Sequence, residues 1–246
     1  MKKYLTIKIK VNKKKEAIDF GIPDTKEELD DMFKSRYKVY FKKDYIDENK
    51  QKRDFDEYDE NGDCIYFIAT YKGKIVGSAR IIKSNFLPTE KDCFRFREPK
   101  KISLIPRNQR TEVSRLIVLN NDPKNYFPRH LIMIGLLHSI SLYSKEDNLL
   151  GGYSFIKDNL KKKLKKLKIP FYLIEPFEQI YNKGVLTKYF NDRSNPVWPI
   201  YYFRDEIFIF TLKIFNNNFL FKKNSKNEYE FKHCFLWKIL LKFFKF

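Results

Sequence analysis

Hydrophobic and polar residues alternate from the start of the chain, with Leu5, Ile7, Ile9 and Val11 on one side and Tyr4, Thr6, Lys8 and Lys10 on the other. A period of two predicts a strand and leaves no continuous apolar run for a signal peptide. Beyond the basic run Lys13 to Lys15, residues 24–40 take the period of a helix. Leu29, Phe33, Tyr37 and Tyr40 share a stripe, Asp24 or Thr25 can cap, and Glu27 and Glu28 sit in the first turn. Residues 64–71 and 74–83 read as two strands joined by a tight Lys72-Gly73 turn. Residues 84–110, with Pro88, Pro99 and Pro106, read as a long irregular excursion. A buried strand follows at 111–119, then a loop at 120–127 and a largely apolar helix from Pro128 to about Tyr143. A strand at 150–156, a lysine-rich helix with the stripe Leu160, Leu164 and Leu167, and a strand at 171–174 complete the order. This alternation predicts an α/β (α+β) chain, a twisted mixed sheet with helices on both faces.

Residues 207–246 differ in composition, with eight lysines, two glutamates and many phenylalanines. Residues 231–246 are strongly amphipathic: Lys238, Lys242 and Lys245 fall on one side of a helical wheel, and Phe235, Leu236, Ile239, Leu240, Phe243 and Phe244 fill most of the rest. Such a tail fits either of two places, packed on the domain or lying in a membrane interface with its lysines at the headgroups. The expected organisation is a domain at 1–206 and a basic aromatic extension at 207–246.

Composition narrows the setting. With 246 residues, 43% hydrophobic and 17% aromatic, the chain builds a sizeable core and is no disordered tail. Its net charge of +19 points to a polyanionic partner. That excess is carried by 39 lysines against 11 arginines, with abundant Asn, Ile, Phe and Tyr, the bias that an AT-rich genome produces on a solvated surface. The lysines are dispersed and no nucleic-acid motif accompanies them, so no nucleic-acid partner is expected. Cys64, Cys93 and Cys234 stand too far apart for a disulfide framework or a zinc site. A reducing, cytoplasmic location follows, with any membrane contact peripheral, on the inner face. His130, His138 and His233 form neither a metal set nor a Ser-His-Asp order, and a lone buried histidine belongs more often to the core.

Against the basic background, residues 44–63 form an acidic island, nine carboxylates to three basic residues. Four clusters place charge where an element should bury apolar groups: Arg36 on the first helix, Asp54-Phe-Asp-Glu-Tyr-Asp59, Gly77-Ser-Ala-Arg80 and Thr111-Glu-Val-Ser-Arg115. Charge inside such elements is tolerated only when paired, which predicts one network linking these acids and arginines.

In order and separation, Arg36, Asp56 and Asp59 in D-F-D-E-Y-D, Gly77 and Arg80 in V-G-S-A-R, and Glu112 and Arg115 in E-V-S-R-L-I-V resemble the acyl-homoserine lactone synthases and the related N-acyl amino acid synthases. The resemblance spans about residues 25–175. It implies a GNAT-like three-layer αβα fold with a twisted mixed, largely antiparallel sheet. It also implies transfer of a fatty acyl chain from a thioester, on acyl carrier protein or coenzyme A, to the amine of an amino-acid-like acceptor. The product would be an N-acyl amino acid or a lactone of the quorum-sensing type. No permanently bound cofactor and no metal are expected; the acyl-phosphopantetheine thioester is a substrate.

A thioester is already activated, so the enzyme must supply a neutral amine, a proton acceptor and oxyanion donors. The resemblance assigns Glu112 to the amine's proton, directly or through a water, with Asp56 and Asp59 completing the catalytic set. Arg36, Arg80, Arg115 and Ser114 become the orienting and substrate-binding residues, since guanidinium forks hold carboxylates in fixed geometry. Tyr45 stands where many lactone synthases carry tryptophan, and Asp54 where glutamate is common, which brings the chain closer to the N-acyl amino acid synthases. An ordinary GNAT acetyltransferase would cradle a pyrophosphate on a Gly-rich loop. Residues 120–130 have no glycine, and the next is Gly135. A phosphopantetheine arm on an acidic carrier protein needs less phosphate binding, and Lys161, Lys162, Lys165 and Lys166 offer it a basic docking face. The remaining alternatives are an acetyl-CoA-dependent acetyltransferase and a non-enzymatic basic protein binding membrane or nucleic acid.

Overall fold

The computed structural model describes residues 1–11, 14–119, 128 and 130–232. The chain opens with the hairpin strands β1 (Lys2–Val11) and β2 (Lys14–Ile22), followed by helix α1 (Lys26–Lys42). Thr25 caps α1 by accepting from the Glu28 N–H at 3.1 Å, and Met32, Phe33, Arg36, Tyr37 and Tyr40 form its buried stripe. A short helix α2 (Glu57–Glu60) precedes strands β3 (Cys64–Tyr71) and β4 (Lys74–Ile82). The turn between them is the expected one, with Lys72 and Gly73 both at positive φ. The proline-rich excursion contains a single π-turn at Thr89–Cys93, β5 (Phe94–Phe96) and α3 (Lys100–Ser103). Strand β6 (Arg110–Val118), helix α4 (Leu131–Glu146), strand β7 (Gly151–Lys157) and helix α5 (Asp158–Lys166) then follow.

The remainder is β8 (Tyr172–Leu173), β9 (Phe177–Gln179), α6 (Thr187–Asn191), β10 (Val197–Phe203), α7 (Arg204–Phe215), β11 (Phe221–Ser225) and β12 (Glu228–Phe231). Ten strands make one sheet in the order β11-β12-β1-β2-β3-β4-β6-β7-β10-β8. Among the described residues only β1 with β12 and β6 with β7 run parallel. On one face α4 packs across β1 to β6 and against α7, around Leu5, Ile7, Phe20, Phe67 and Ile134. On the other face Tyr37 and Tyr40 of α1 meet Tyr189 and Phe190 of α6. The arrangement is the three-layer αβα fold with a twisted, largely antiparallel mixed sheet.

Two parts of the fold depart from the pattern-based expectation. Strand β2 begins inside the basic run, where Lys14 and Lys15 lie exposed at the hairpin end while Ile18 and Phe20 turn inward. The boundary at residue 206 falls inside α7, and β12 pairs with β1, so residues 207–231 pack on the domain. Most of the amphipathic tail, residues 233–246, lies outside the described residues, as does most of the loop at 120–130. Among the described residues no helix is long and apolar enough to cross a membrane.

The feature that positions the site is the end of the β6–β7 ladder. Pairing runs from Arg110 opposite Gly151 to Glu112 opposite Tyr153 and stops there. Gly152 makes the paired segment possible: a Cβ built on it would lie 1.7 Å from the Thr111 carbonyl oxygen. Gly152→Ala is therefore expected to lower stability by about 1–3 kcal/mol or more through forced separation of these strands. An unchanged urea midpoint for this variant would contradict the close approach.

Candidate active site

Where β6 pairs with β4, the register slips by one. Arg80 faces Ser114 and Ser78 faces Ile117, so Ala79 alone opposes Arg115 and Leu116. Arg115 takes up the extra residue with a φ of 55°. A bulge of this kind breaks the strand's alternation. Ser114 and Arg115, though adjacent, both reach the α1 side: Ser114 Oγ accepts from Arg80 Nε at 3.0 Å, and Arg115 Nε donates to Asp54 at 2.9 Å.

The expected network exists. Asp54 Oδ2 accepts from both Arg36 Nε and Arg115 Nε, each at 2.9 Å. Asp56 takes the two ends of the Arg80 guanidinium at 2.7 and 2.9 Å and Arg115 Nη2 at 3.0 Å. Asp59 receives Arg36 Nη2 at 3.3 Å, Arg80 Nη1 at 2.9 Å and the Tyr66 hydroxyl at 2.9 Å. The acids are aimed by their own backbone, because Asp56 and Asp59 cap α2 reciprocally. Three guanidiniums thus face three carboxylates, with Phe33 and Tyr40 rings over Arg36 and Arg115. Desolvation alone would raise the Asp54 and Asp56 pKa values. The arginines, Arg115 foremost, override it and hold both carboxyls below the usual range.

Glu112 stands apart from that network, which corrects the expectation of a single cluster. It is fully buried, and its Oε2 accepts the Thr89 main-chain N–H at 2.8 Å. Burial pushes its pKa up to about 7, with Thr89 and Arg80 pulling the other way and Glu90 adding to the rise. Proximity in sequence to Arg115 is misleading, because the arginine's partners are Asp54 and Asp56. Asp56 and Asp59, engaged by two or more donors each, are built to orient arginines rather than to accept a proton from a substrate.

Past the end of the ladder the two strands part and a cleft of about 1240 Å³ opens between them. Under the sheet it is lined by Leu116, Met133, Leu137, Ile140, Ile156 and Ile207, and on the α1 side by Tyr40, Tyr45, Arg115, Lys157 and Tyr189. Two residues carry no motif signal: Lys157, which lines the cleft, and Thr89, which holds Glu112. Lys157 is buried, bonded to the Tyr189 carbonyl and to Asp192 at 3.2 Å, between the Tyr45 and Tyr189 rings. Desolvation lowers its pKa against the opposing pull of Asp192. A lysine at the end of an apolar strand was its only sequence signal.

The basic face of α5 is partly neutralised: Lys161 and Lys162 pair with Asp158 at 2.7 and 2.8 Å, and Lys161 covers the Trp198 ring, while Lys165 and Lys166 are exposed. His138 is a core residue, bonded to Thr211 at 2.9 Å and packed on Phe208 and Phe215, and its burial lowers the pKa to about 4. Among the described residues no group of His, Cys, Asp and Glu is arranged to hold a metal.

Residues 31–145, which carry Arg36, the three aspartates, Arg80, Glu112, Ser114 and Arg115, match the family model of the N-acyl amino acid synthase FeeM. Over these residues, just under half of the chain, the sequence is similar to the N-acyl amino acid synthases, and the fold is that of the GNAT-like acyltransferases. Solved synthases share the fold at low identity. The CoA-dependent acyl-homoserine lactone synthase MesI is 16% identical, covering 76% of this chain and 87% of its own, with a TM-score of 0.52. LasI is 13% identical over 76% of this chain and 89% of its own, with a TM-score of 0.53. BjaI, solved with SAM and isopentyl-CoA, is 11% identical over 97% and 99%, with a TM-score of 0.53. No curated protein matches the sequence significantly.

The arginine–aspartate network is the support of the cleft wall, and removing one member strands buried charge. Arg115→Ala leaves Asp54 and Asp56 short of a partner and is expected to cost about 3–5 kcal/mol of stability. Chemical denaturation measures it; a variant as stable as the wild type would show that the network does not carry the wall.

Proposed function

We propose that the protein transfers a fatty acyl chain from a phosphopantetheine thioester to the amine of an amino-acid-like acceptor. The observation that carries this reading is Glu112, a buried carboxylate poised near neutrality at the point where β6 and β7 separate. Beyond that point the facing strand edges no longer pair with each other, and their main-chain groups are available to the amides of a pantetheine arm and to a thioester carbonyl. The apolar space beneath the sheet suits a long acyl chain and is far larger than an acetyl group needs, which favours fatty acyl transfer over acetylation. The acceptor then approaches from the α1 side, past Tyr40, Tyr45 and Tyr189.

The chemistry requires a neutral amine. Glu112, having no exposed surface, takes the ammonium proton through an intervening group rather than by direct contact. The amine nitrogen attacks the thioester carbon, the carbonyl oxygen carries the transient negative charge, and collapse breaks the carbon–sulfur bond. The proton released from the nitrogen passes to the departing thiolate, giving amide and thiol. Arg36, Arg80 and Arg115, locked by the aspartates, keep α1 and the bulged β6 in register around this path. Donor delivery by an acidic carrier protein is supported by the exposed Lys162, Lys165 and Lys166 on α5. Delivery as acyl-CoA is supported by the CoA-dependent MesI and BjaI.

Mass spectrometry of lipid extracts from cells expressing wild type or Glu112→Gln tests the reaction. N-acylated amino acid or lactone above the empty vector, lost in Glu112→Gln, is the expected result; its absence with acyl carrier protein and acyl-CoA supplied overturns the reading. Because Glu112 serves only when ionised, the rate of acyl transfer should fall as pH drops below about 7 and level off above it. A flat pH–rate profile between 5 and 8, which brackets about the value expected for this carboxyl, would remove Glu112 from the proton path.

A further inference from the structure

The proposed reaction gives Glu112 a proton to receive but no group to hand it over. Thr89 stands at that gap. It is fully buried and opens the single π-turn of the proline-rich excursion, a local geometry that concentrates at functional sites. Its main-chain N–H holds Glu112 Oε2 at 2.8 Å. Its hydroxyl and Glu112 Oε1 are both buried, and neither makes a hydrogen bond of normal geometry among the described residues, although the hydroxyl lies close enough to favour the ionised carboxylate. Such atoms are costly to leave unpaired, and two of them on residues already joined by a hydrogen bond from the Thr89 amide mark a place kept for a transient partner. Pairing by the amide also breaks the symmetry of the carboxylate: Oε2 is occupied and Oε1 is left to take the proton.

We propose that Thr89 is a positioning residue and proton relay for Glu112, its amide fixing Oε2 and its hydroxyl passing the acceptor's proton to Oε1. The relay rests on the acyl-transfer reading above. The acceptor ammonium gives a proton to a cleft water, that water gives one to the Thr89 hydroxyl, and the hydroxyl's own proton moves to Oε1. Water and hydroxyl end as they began, the amine is neutral and Glu112 is protonated, so no oxidant or reductant enters.

The surroundings leave Glu112 as the group that titrates near neutrality. Arg80 from β4 favours its charged form and Glu90 from the π-turn opposes it. Tyr58 from α2, Cys93 from the π-turn and Tyr202 from β10 also face it, and burial pushes each of their pKa values up, so all three stay protonated.

Thr89→Val keeps the amide and nearly the shape while removing the hydroxyl; Thr89→Ser keeps both donors. Infrared titration of the Glu112 carboxyl, identified by difference against Glu112→Gln, reads its pKa without turnover. In Thr89→Val that pKa should rise by about one unit, since a hydrogen-bonding group that favours the ionised form is gone. On the best acyl donor, kcat should fall at least about tenfold above the inflection with KM unchanged, and Thr89→Ser should restore both values. A folded Thr89→Val with wild-type kcat and wild-type Glu112 pKa overturns the proposal, as does a loss that Thr89→Ser fails to restore. Should wild type transfer no acyl group, the functional reading falls, while the titration still decides whether Thr89 holds Glu112.

Discussion

The interaction on which the rest depends is the exchange of hydrogen bonds between three buried guanidiniums and three buried carboxylates. Taken singly, each of these charges is expensive to remove from water. Taken together, Arg36, Arg80 and Arg115 against Asp54, Asp56 and Asp59 sum to zero, and nearly every contact is a charge-assisted bond of normal length. The elements joined are far apart in sequence: α1, the segment leading into α2, β4 and β6. The network therefore does what an apolar core does less specifically. It fixes the rotation of α1 and the register of β4 on β6, because a shift by one residue would break several bonds at once.

That fixed register has a consequence for β7. The bulge that carries Arg115 into the network twists β6 just beyond the last β6–β7 pair, at Glu112 opposite Tyr153. Local twist at a bulge re-aims a strand. The parting of the two strands, and so the cleft, is a structural product of satisfying Arg115 on the α1 side. Glu112 lies at the last paired position, on the rigid side of that divergence, where the proposed proton acceptor is held still beside the cleft.

Much of this was legible from residue types. Period-two and helical patterns placed β1, α1, β3, β4, β6, α4, β7 and α5, and charge within otherwise apolar elements marked the arginine and aspartate positions. Two kinds of feature were hidden. Strand β2 starts among lysines and β11 carries Lys222 and Lys223, so their alternation is masked by side chains that sit in solvent, at the hairpin end for β2 and at the sheet edge for β11. The separation of Glu112 from Arg115 was hidden because nearness in sequence suggests one cluster, whereas Glu112 is held by the Thr89 amide and Arg115 by Asp54 and Asp56. Thr89 had no signal at all: its role depends on a π-turn that a proline-rich loop does not announce.

The two acidic environments explain why one fold keeps carboxylates for opposite tasks. Asp54 is fully buried and Asp56 largely so, but arginines surround them and they remain charged. Glu112 is just as buried, with one amide on Oε2 and no guanidinium bonded to it, and its pKa rises to about 7. Burial is common to both, so it cannot be what separates them; the number of bonded donors is. An arginine bonded to Glu112 would fix it as a permanent anion, useless as a proton acceptor at neutral pH. By engaging Arg115, Asp54 and Asp56 both support the wall of the cleft and leave Glu112 without a bonded guanidinium, able to change its charge.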